Sequence, residues 1–314
     1  MKIVVVGPGA LGCLFAASLA EQAAAEIRLF DHNAGRAAQL AAQGIVIDYQ
    51  GQERSIAVPV TTAIDRLGQP DVILLCVKSH QVASALNEAK PLFSEKSLVL
   101  ALQNGISHLP ILTEQVNNIP WAAGVTALGA TLLSPGHVRY AGQGETRIGF
   151  FPTSKYRHEA KKLSELASLL SRAGFKTTVV DNMLDHIWAK FFINIGINAL
   201  TAIHDCPNGG LLESVELKQK MLAAVREALL VAQALDIQIL NDPLPATIAV
   251  CRATAGNISS MLQDVRNRRR TEIDAINGAL VQEARRLGIA VPVNESLVQH
   301  IHALERTYYK KTDS

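Results

Sequence analysis

In the first half of the chain, apolar residues come in short continuous runs: KIVVV (2–6), EIRLF (26–30), DVILLCV (71–77) and SLVLALQ (97–103). Between them lie stretches with helical spacing, ALGCLFAASLAEQ, GRAAQLAAQ and SHQVASALNEAKPLF. Runs that are apolar on both faces predict strands of a mostly parallel sheet covered on both sides, and the intervening stretches predict crossover helices. GHVRYAG and ETRIGF read as a more antiparallel pair with turn residues between them. EAKKLSELASLLSRAG followed by FKTTVV predicts a helix and strand that complete this layer near residue 180.

The pattern changes from residue 183. Strand signals disappear, and helical periodicity runs through MLDHIWAKFFINIGINALTAI, ELKQKMLAAVREALLVAQAL, LPATIAVCRATAGNISSMLQDV and TEIDAINGALVQEARRLG. CPNGG (206–210) and NDPLP (241–245) are turn punctuation, and KKTDS reads as a frayed end. The expected architecture is α/β: a Rossmann-type N-terminal domain over 1–180, then an all-helical C-terminal domain over 181–314. A cleft between two such domains is the default place for a site.

Length and composition agree with this reading. The 314 residues suffice for two domains, and 48% hydrophobic against 18% charged residues is a composition that buries a core. A net charge of +2 argues against a nucleic-acid partner, and the run Arg266, Arg268, Arg269, Arg270 reads as a solvated face. The four cysteines form no CxxC pair and no metal-ligand spacing, so no metal is expected and a reducing, cytoplasmic setting fits. The N-terminal apolar run is too short for a signal peptide, and no uncharged stretch approaches the ~18 residues of a membrane span. Oligomeric state, monomer or homodimer, leaves no mark in the pattern.

The first candidate chemistry is Gly7-Pro8-Gly9-Ala10-Leu11-Gly12. This GxGxxG follows a predicted strand and opens a predicted helix, the context in which the motif binds a dinucleotide. Its glycines allow a tight turn, close backbone approach to a pyrophosphate, and close helix–strand packing. Free N–H groups and the helix dipole then face the phosphates. Asp31 closes the second strand about 20 residues on, where an acid hydrogen-bonds the ribose 2′-hydroxyl of NAD. His32 and Arg36 follow, and a nearby arginine accommodates the 2′-phosphate of NADP, so the choice between the two stays open.

The second is a polar line on an apolar helix. Lys190, Asn194 and Asn198 fall at i, i+4 and i+8 among Trp188, Phe191, Phe192, Ile195 and Ile197. Unpaired buried polar groups cost ~1–3 kcal/mol each, so these three need partners, and a substrate, solvent or another helix would each supply them. Desolvation also lowers a lysine pKa toward neutrality and suits it to proton transfer. Asn257, Ser260 and Asp264 form another stripe at i, i+3 and i+7, with Glu272 further along. Taken alone, each of these four reads as structural: helix surface, cap or exposed charge.

GPGALG, CVKSHQ, QNG, the Lys190–Asn194–Asn198 line, LTAIHDCPNGGL, NISSMLQDV and RTEIDAINGAL, in this order and spacing, resemble the ketopantoate reductase (2-dehydropantoate 2-reductase) family. The resemblance runs nearly end to end. It implies a Rossmann-type domain, a helical domain, and NADPH-dependent reduction of ketopantoate to pantoate. It implies Lys190 as proton donor, with Glu272 in the catalytic cleft engaging the substrate hydroxyl or the nicotinamide ribose. The cofactor residues it implies are Gly7, Pro8, Gly9, Ala10, Leu11, Gly12, Asp31, His32, Lys78, Asn104, Ala130 and Glu272. Substrate contacts are implied at Asn104, Lys190, Asn194, Asn198, Asn208 and the stretch Asn257, Ile258, Ser259 and Ser260, with Ser260 placed for the carboxylate.

The chain departs from the family at the second strand. Asp31 stands near where NADPH-specific members commonly carry a basic residue, which keeps NAD(H) in play beside NADP(H). Two rival readings remain: reduction of another branched 2-oxo acid, and a non-catalytic dinucleotide-binding regulator. The intact lysine line argues against the second.

Overall fold

A computed structural model describes residues 1–22, 25–116, 118–151, 156 and 159–309. The KKTDS end lies outside these. The chain divides into two compact units, Met1–Gln103 with Leu109–Met183, and Asn104–His108 with Leu184–Ser314. In this division Asn104–His108 belongs with the helical unit.

The first unit begins with β1 (Lys2–Val6), α1 (Ala10–Ala20), β2 (Glu26–Phe30), α2 (Ala34–Gln43), β3 (Ile45–Tyr49), β4 (Gln52–Ile56) and β5 (Val60–Thr61). It continues through β6 (Val72–Leu75), α3 (Val82–Ala89), β7 (Leu98–Ala101), α4 (His108–Gln115, whose first residue belongs to the other unit), β8 (Trp121–Thr126) and β9 (Gly129–Ser134). β10 (His137–Gly142), β11 (Thr146–Phe150), α5 (Ala160–Arg172) and β12 (Thr177–Val179) complete it.

Eight strands form one sheet in the order β12-β11-β8-β7-β6-β1-β2-β5, parallel throughout except where β11 meets β8. Its central strands are buried on both faces, which is why they read as unbroken apolar runs. The chain leaves β1 for β2 on one side and later returns to β6 on the other, so the carboxyl ends of β1 and β6 flank a topological switch point. Open α/β sheets bind ligands at such points.

A second sheet, β4-β3-β10-β9, packs over α1. That placement accounts for a helix apolar around nearly its whole circumference, with Gly12 through Leu19 buried and Phe15 edge-on to Phe175 at 4.7 Å. Two features of this sheet depart from the sequence reading. The segments GHVRYAG and ETRIGF do not pair with each other: β10 lies between β3 and β9, whereas β11 pairs with β8 and β12 in the large sheet. Turn residues between two strand runs show that the chain bends, but not which sheet each run joins. The hairpin β3–β4 carried no Asn-Gly signal. Its turn is Gln50-Gly51, both at positive φ (54° and 82°), with the Gly51 N–H donating to Asp48 Oδ1 at 2.9 Å.

The second unit is helical: α6 (Met183–His204, its first residue counted with the other unit), α7 (Gly210–Glu213), α8 (Val215–Ala234), α9 (Pro243–Ala253), α10 (Ser260–Arg266), α11 (Asn277–Leu287) and α12 (Pro292–Arg306). Its core gathers Trp188, Phe191, Ile195, Leu200, Met221 and Leu280. At Gly196 an added Cβ would come within 2.9 Å of Val225 and 3.0 Å of Thr247, so the missing side chain is what lets α8 and α9 approach α6. The pattern over 244–265 is two helices, not one. α9 ends at Ala253, and α10 restarts behind Ser259, whose hydroxyl accepts from the Leu262 N–H as an N-cap. Among the described residues no helix is long and apolar enough to cross a membrane.

Candidate functional site

In the first unit, the glycine loop joins β1 to α1. Gly7 sits at φ +103°, and a Cβ there would meet Val77 at 2.7 Å; at Gly12 it would lie 2.0 Å from the Gly7 carbonyl oxygen. Both glycines are therefore demanded by internal packing, and both bring the loop against residues that follow β6. Gly9 is different. Its φ is −75°, and the nearest atom to an added Cβ is the Cys76 oxygen at 3.8 Å, an ordinary contact. Nothing inside the protein requires glycine at position 9, so its bare backbone is a cradle open to a ligand. No side chain caps α1, so the N–H groups of its first turn, at Ala10, Leu11 and Gly12, lack a side-chain acceptor. An anionic pyrophosphate fits that donor set.

At the carboxyl end of β2, Asp31 is turned inward with its side chain 0% exposed. Its oxygens accept from Arg36 Nε and Nη2, both at 2.6 Å, and from the Asn33 N–H at 3.0 Å. The His32 side chain is 62% exposed, and Arg36, in the first turn of α2, is 34% exposed. Lys78 follows β6 and is partly buried, while Ala130 lies on β9 opposite Tyr140 in the smaller sheet. Sequence reasoning passed over Gln103. Its amide donates to the Leu75 and Val77 carbonyls at 2.7 and 3.2 Å, tying the end of β7 to that of β6, and its buried Oε1 has no partner among the described residues.

In the second unit three predicted residues come together. Lys190, on α6, donates from Nζ to Asn104 Oδ1 at 2.8 Å, and Asn104 Nδ2 donates to Glu272 Oε2 at 3.0 Å. The amide orientation follows from its neighbours, since an ammonium only donates and a carboxylate only accepts. Burial lowers the Lys190 pKa to about 8, while the Glu272 charge works in the opposite direction.

The segment carrying Asn104 is fixed by backbone. The Ile106 N–H donates to the Ala275 carbonyl at 3.2 Å, and Gly105 turns at φ +78° with its α-carbon against the same peptide. His108, buried and unsuspected from the sequence, lies close enough to feel the Glu272 charge. Burial lowers its pKa to about 4, so at neutral pH it is uncharged. A single histidine in the segment ISHLP gives no periodic signal that could have found it.

Asn194 and Asn198 continue the Lys190 face along α6. Asn198 is only 7% exposed, and neither amide has a protein partner among the described residues. Asn208 is buried and donates to Thr254 Oγ1 at 2.8 Å, leaving Oδ1 without a partner among the described residues. Its backbone N–H donates to the Asn257 carbonyl, which ties the 206–210 loop to the turn between α9 and α10.

The stripe expected from Asn257, Ser260 and Asp264 is not a helix face. Asn257 lies in that turn and is exposed, Ile258 is partly buried, and only Ser260 and Asp264 are on α10. The Ser259 hydroxyl is occupied within the protein, between the Leu262 N–H and Thr201 Oγ1 at 2.7 Å. The exposed Ser260 has no such bond.

A glycine-loop α/β unit followed by a helical unit that buries a lysine–amide–carboxylate relay defines the class, a two-unit oxidoreductase of dinucleotide-binding fold. The model of the family described as Ketopantoate reductase PanE/ApbA matches residues 3–153, and that of its C-terminal domain matches residues 182–305. The chain belongs to the ketopantoate reductase family. It is 34% identical to the 2-dehydropantoate 2-reductase of Halobacterium salinarum over 98% of this chain and 99% of that one. To the Vibrio cholerae enzyme of the same name it is 33% identical, over 99% and 100%. Among solved structures, a PanE/ApbA family ketopantoate reductase from Ralstonia eutropha superposes with a TM-score of 0.88 at 30% identity, covering 98% of this chain and 99% of that one. A ternary complex of D-mandelate dehydrogenase with NADH and anilino(oxo)acetate does so with the same TM-score and coverage at 29% identity.

Proposed function

We propose that the protein reduces 2-dehydropantoate to pantoate with a nicotinamide dinucleotide. The observation that carries this is the Lys190–Asn104–Glu272 relay: a partly desolvated ammonium held 2.8 Å from an amide that is itself held by a buried carboxylate. When bound, the reduced dinucleotide supplies the hydride for C2 of the 2-oxo acid. The first turn of α1, with Gly7, Pro8, Gly9, Ala10, Leu11 and Gly12, would hold its pyrophosphate, and Lys78, Asn104, Ala130 and Glu272 are assigned to the cofactor by family membership.

The remaining chemistry belongs to the chain. As charge grows on the ketone oxygen, protonated Lys190 stabilises it and transfers its proton there, leaving a neutral amine to be reprotonated from water. Asn104 fixes the direction of the ammonium, and Glu272 keeps it charged in a site where burial favours the neutral form. The unpartnered amides of Asn194 and Asn198 and the open Oδ1 of Asn208 supply hydrogen bonds to the carboxylate and hydroxyl groups of the substrate. Asn257 and Ser260 are assigned to the substrate by family membership, and the Ser259 hydroxyl, occupied within the protein, offers no further bond.

A second reading, a reductase of a different branched or aryl 2-oxo acid, is favoured by the likeness to D-mandelate dehydrogenase. A steady-state assay with 2-dehydropantoate beside a panel of 2-oxo acids, phenylglyoxylate included, tests both. The proposal expects the highest kcat/KM for 2-dehydropantoate; a higher value for another acid replaces it with the second reading, and no turnover of any acid removes both.

A further inference from the structure

We propose that Glu305 and His302, on one face of α12, are positioning residues for the reaction: they hold the segment that aims Glu272 into the relay. The inference deepens the reading above and rests on it in that Lys190 and Glu272 act together.

Hydrogen bonds inside the Glu272 segment fix its shape. The Glu272 carbonyl accepts from the Ala275 and Ile276 N–H groups at 3.0 and 3.1 Å, and Thr271 Oγ1 accepts from the Ile273 N–H at 3.2 Å. Shape does not fix place. The 3₁₀ turn that follows Glu272, Ile273–Ala275, is three residues long, too short to hold itself anywhere without outside contacts.

α12 grips the segment on both sides of Glu272. Before it, the N–H of Thr271, a residue 2% exposed, donates to Glu305 Oε1 at 2.7 Å. A buried N–H without an acceptor is rare and costly, so this bond sets where the backbone lies. After it, Asp274 Oδ1 takes His302 Nε2 at 2.8 Å. The ionised carboxylate only accepts, so Nε2 carries the proton and donates. His302 and Glu305 stand at i and i+3, which turns both toward the same segment. Arg270 also donates to Asp274, at 3.1 Å, but both of those side chains are about half exposed, and such a pair contributes little. Glu305, which satisfies a buried backbone donor, is therefore the stronger of the two anchors on α12.

The test uses Glu305→Ala, Glu305→Gln, His302→Ala and His302→Gln in the full chain. Each is assayed for kcat/KM with 2-dehydropantoate across pH. The Lys190 titration is read separately, without turnover, by NMR of protein carrying carbon-13 at lysine Cε, the signal being assigned by its loss in Lys190→Ala. Glu305→Ala should lose about tenfold to a hundredfold in kcat/KM, the cost of displacing a group at the site by about 1 Å. Its falling limb and its Lys190 titration should both move below the parent's, about 8, because the Glu272 charge that raises the lysine pKa has moved away. Glu305→Gln removes the same charge but keeps an oxygen for the Thr271 N–H, so it should restore the parent's limb and most of the rate. His302→Ala should shift both readouts in the same direction by less, and His302→Gln, whose amide nitrogen takes the place of Nε2, should restore them.

A Glu305→Ala protein with limb and titration unmoved overturns the proposal. So does a glutamine variant there that behaves as the alanine one, since the bond to Thr271 would then not be what matters. If Glu305→Ala does not fold, the two His302 variants decide by the same criteria. If the parent turns over no 2-oxo acid, the proposed reaction falls, and the NMR titrations alone decide whether α12 positions Glu272.

Discussion

Lys190 carries a charge where burial opposes it, and the consequences can be read in the pH dependence. With its pKa lowered to about 8, reduction requires the protonated form, so kcat/KM should be level below that value and fall as pH rises through it. Oxidation of pantoate requires the neutral amine, so the same group should give a rising limb. His108, at about 4, remains neutral throughout this range and contributes no limb there. Lys190→Ala should lower kcat by ~10²-fold or more, the loss expected for a positioned general acid; near-normal turnover would remove it from the mechanism. In Glu272→Ala the charge that raises the lysine pKa is gone, so the falling limb should move to lower pH and kcat/KM should drop. An unmoved limb with unchanged kcat/KM would leave Glu272 a structural acid. The candidate line itself was legible in the sequence, because a lysine at i, i+4, i+8 with two asparagines is conspicuous in an apolar helix. What each polar group bonds to was less so. Asp31 could be read as a ribose acid, but its pairing with Arg36 depends on how the strand end and the first turn of α2 fold toward each other.

At the scale of elements, the segment 104–106 and the turn 272–275 are locked backbone to backbone beside the side-chain bond between Asn104 and Glu272, partners 168 residues apart. Gly105 makes this possible, since a Cβ there would lie 1.9 Å from the Ala275 oxygen on a backbone with φ +78°. Gly105→Ala must therefore push the two segments apart. It should lower kcat, as a displaced Asn104 no longer aims Lys190; unchanged kcat would show that Asn104 does not depend on this junction. Periodicity revealed the helices and the central strands, because burial on one or both faces is written into local spacing. It did not reveal the contact of QNG with the Glu272 turn, which no local pattern encodes. It also ran α9 and α10 together, since apolar spacing continues across the turn at 254–259 even though Ser259 restarts the helix.

The whole molecule has two cores, and the polar groups inside the helical one are as specific as its apolar packing. Glu227, from α8, is buried and accepts from the Val293 and Asn294 N–H groups at 2.9 Å each and from Asn294 Nδ2 at 2.7 Å, so it caps the start of α12 from a neighbouring helix. Asn294 passes the connection to Asn277 of α11 at 2.9 Å, and Asn277 reaches the Ile195 carbonyl of α6 at 3.4 Å, five residues along from Lys190. Four helices thus meet through one carboxylate and two amides. No sequence pattern announced it, because a glutamate among helical residues reads as surface until a partner four helices along the chain is known. Glu227→Gln keeps the shape but turns an N–H group toward donors, and each strained or unmade bond to a buried group costs ~1–3 kcal/mol. We expect a loss of about 2–4 kcal/mol in unfolding free energy, the range for breaking a buried network. The two tryptophans lie in different units, Trp121 in the sheet and Trp188 in the helical core. In a Trp121→Phe background the denaturant transition followed by Trp188 fluorescence therefore reports on the helical core. A midpoint for Glu227→Gln that matches the parent's would mean that α12 is held by its apolar face alone.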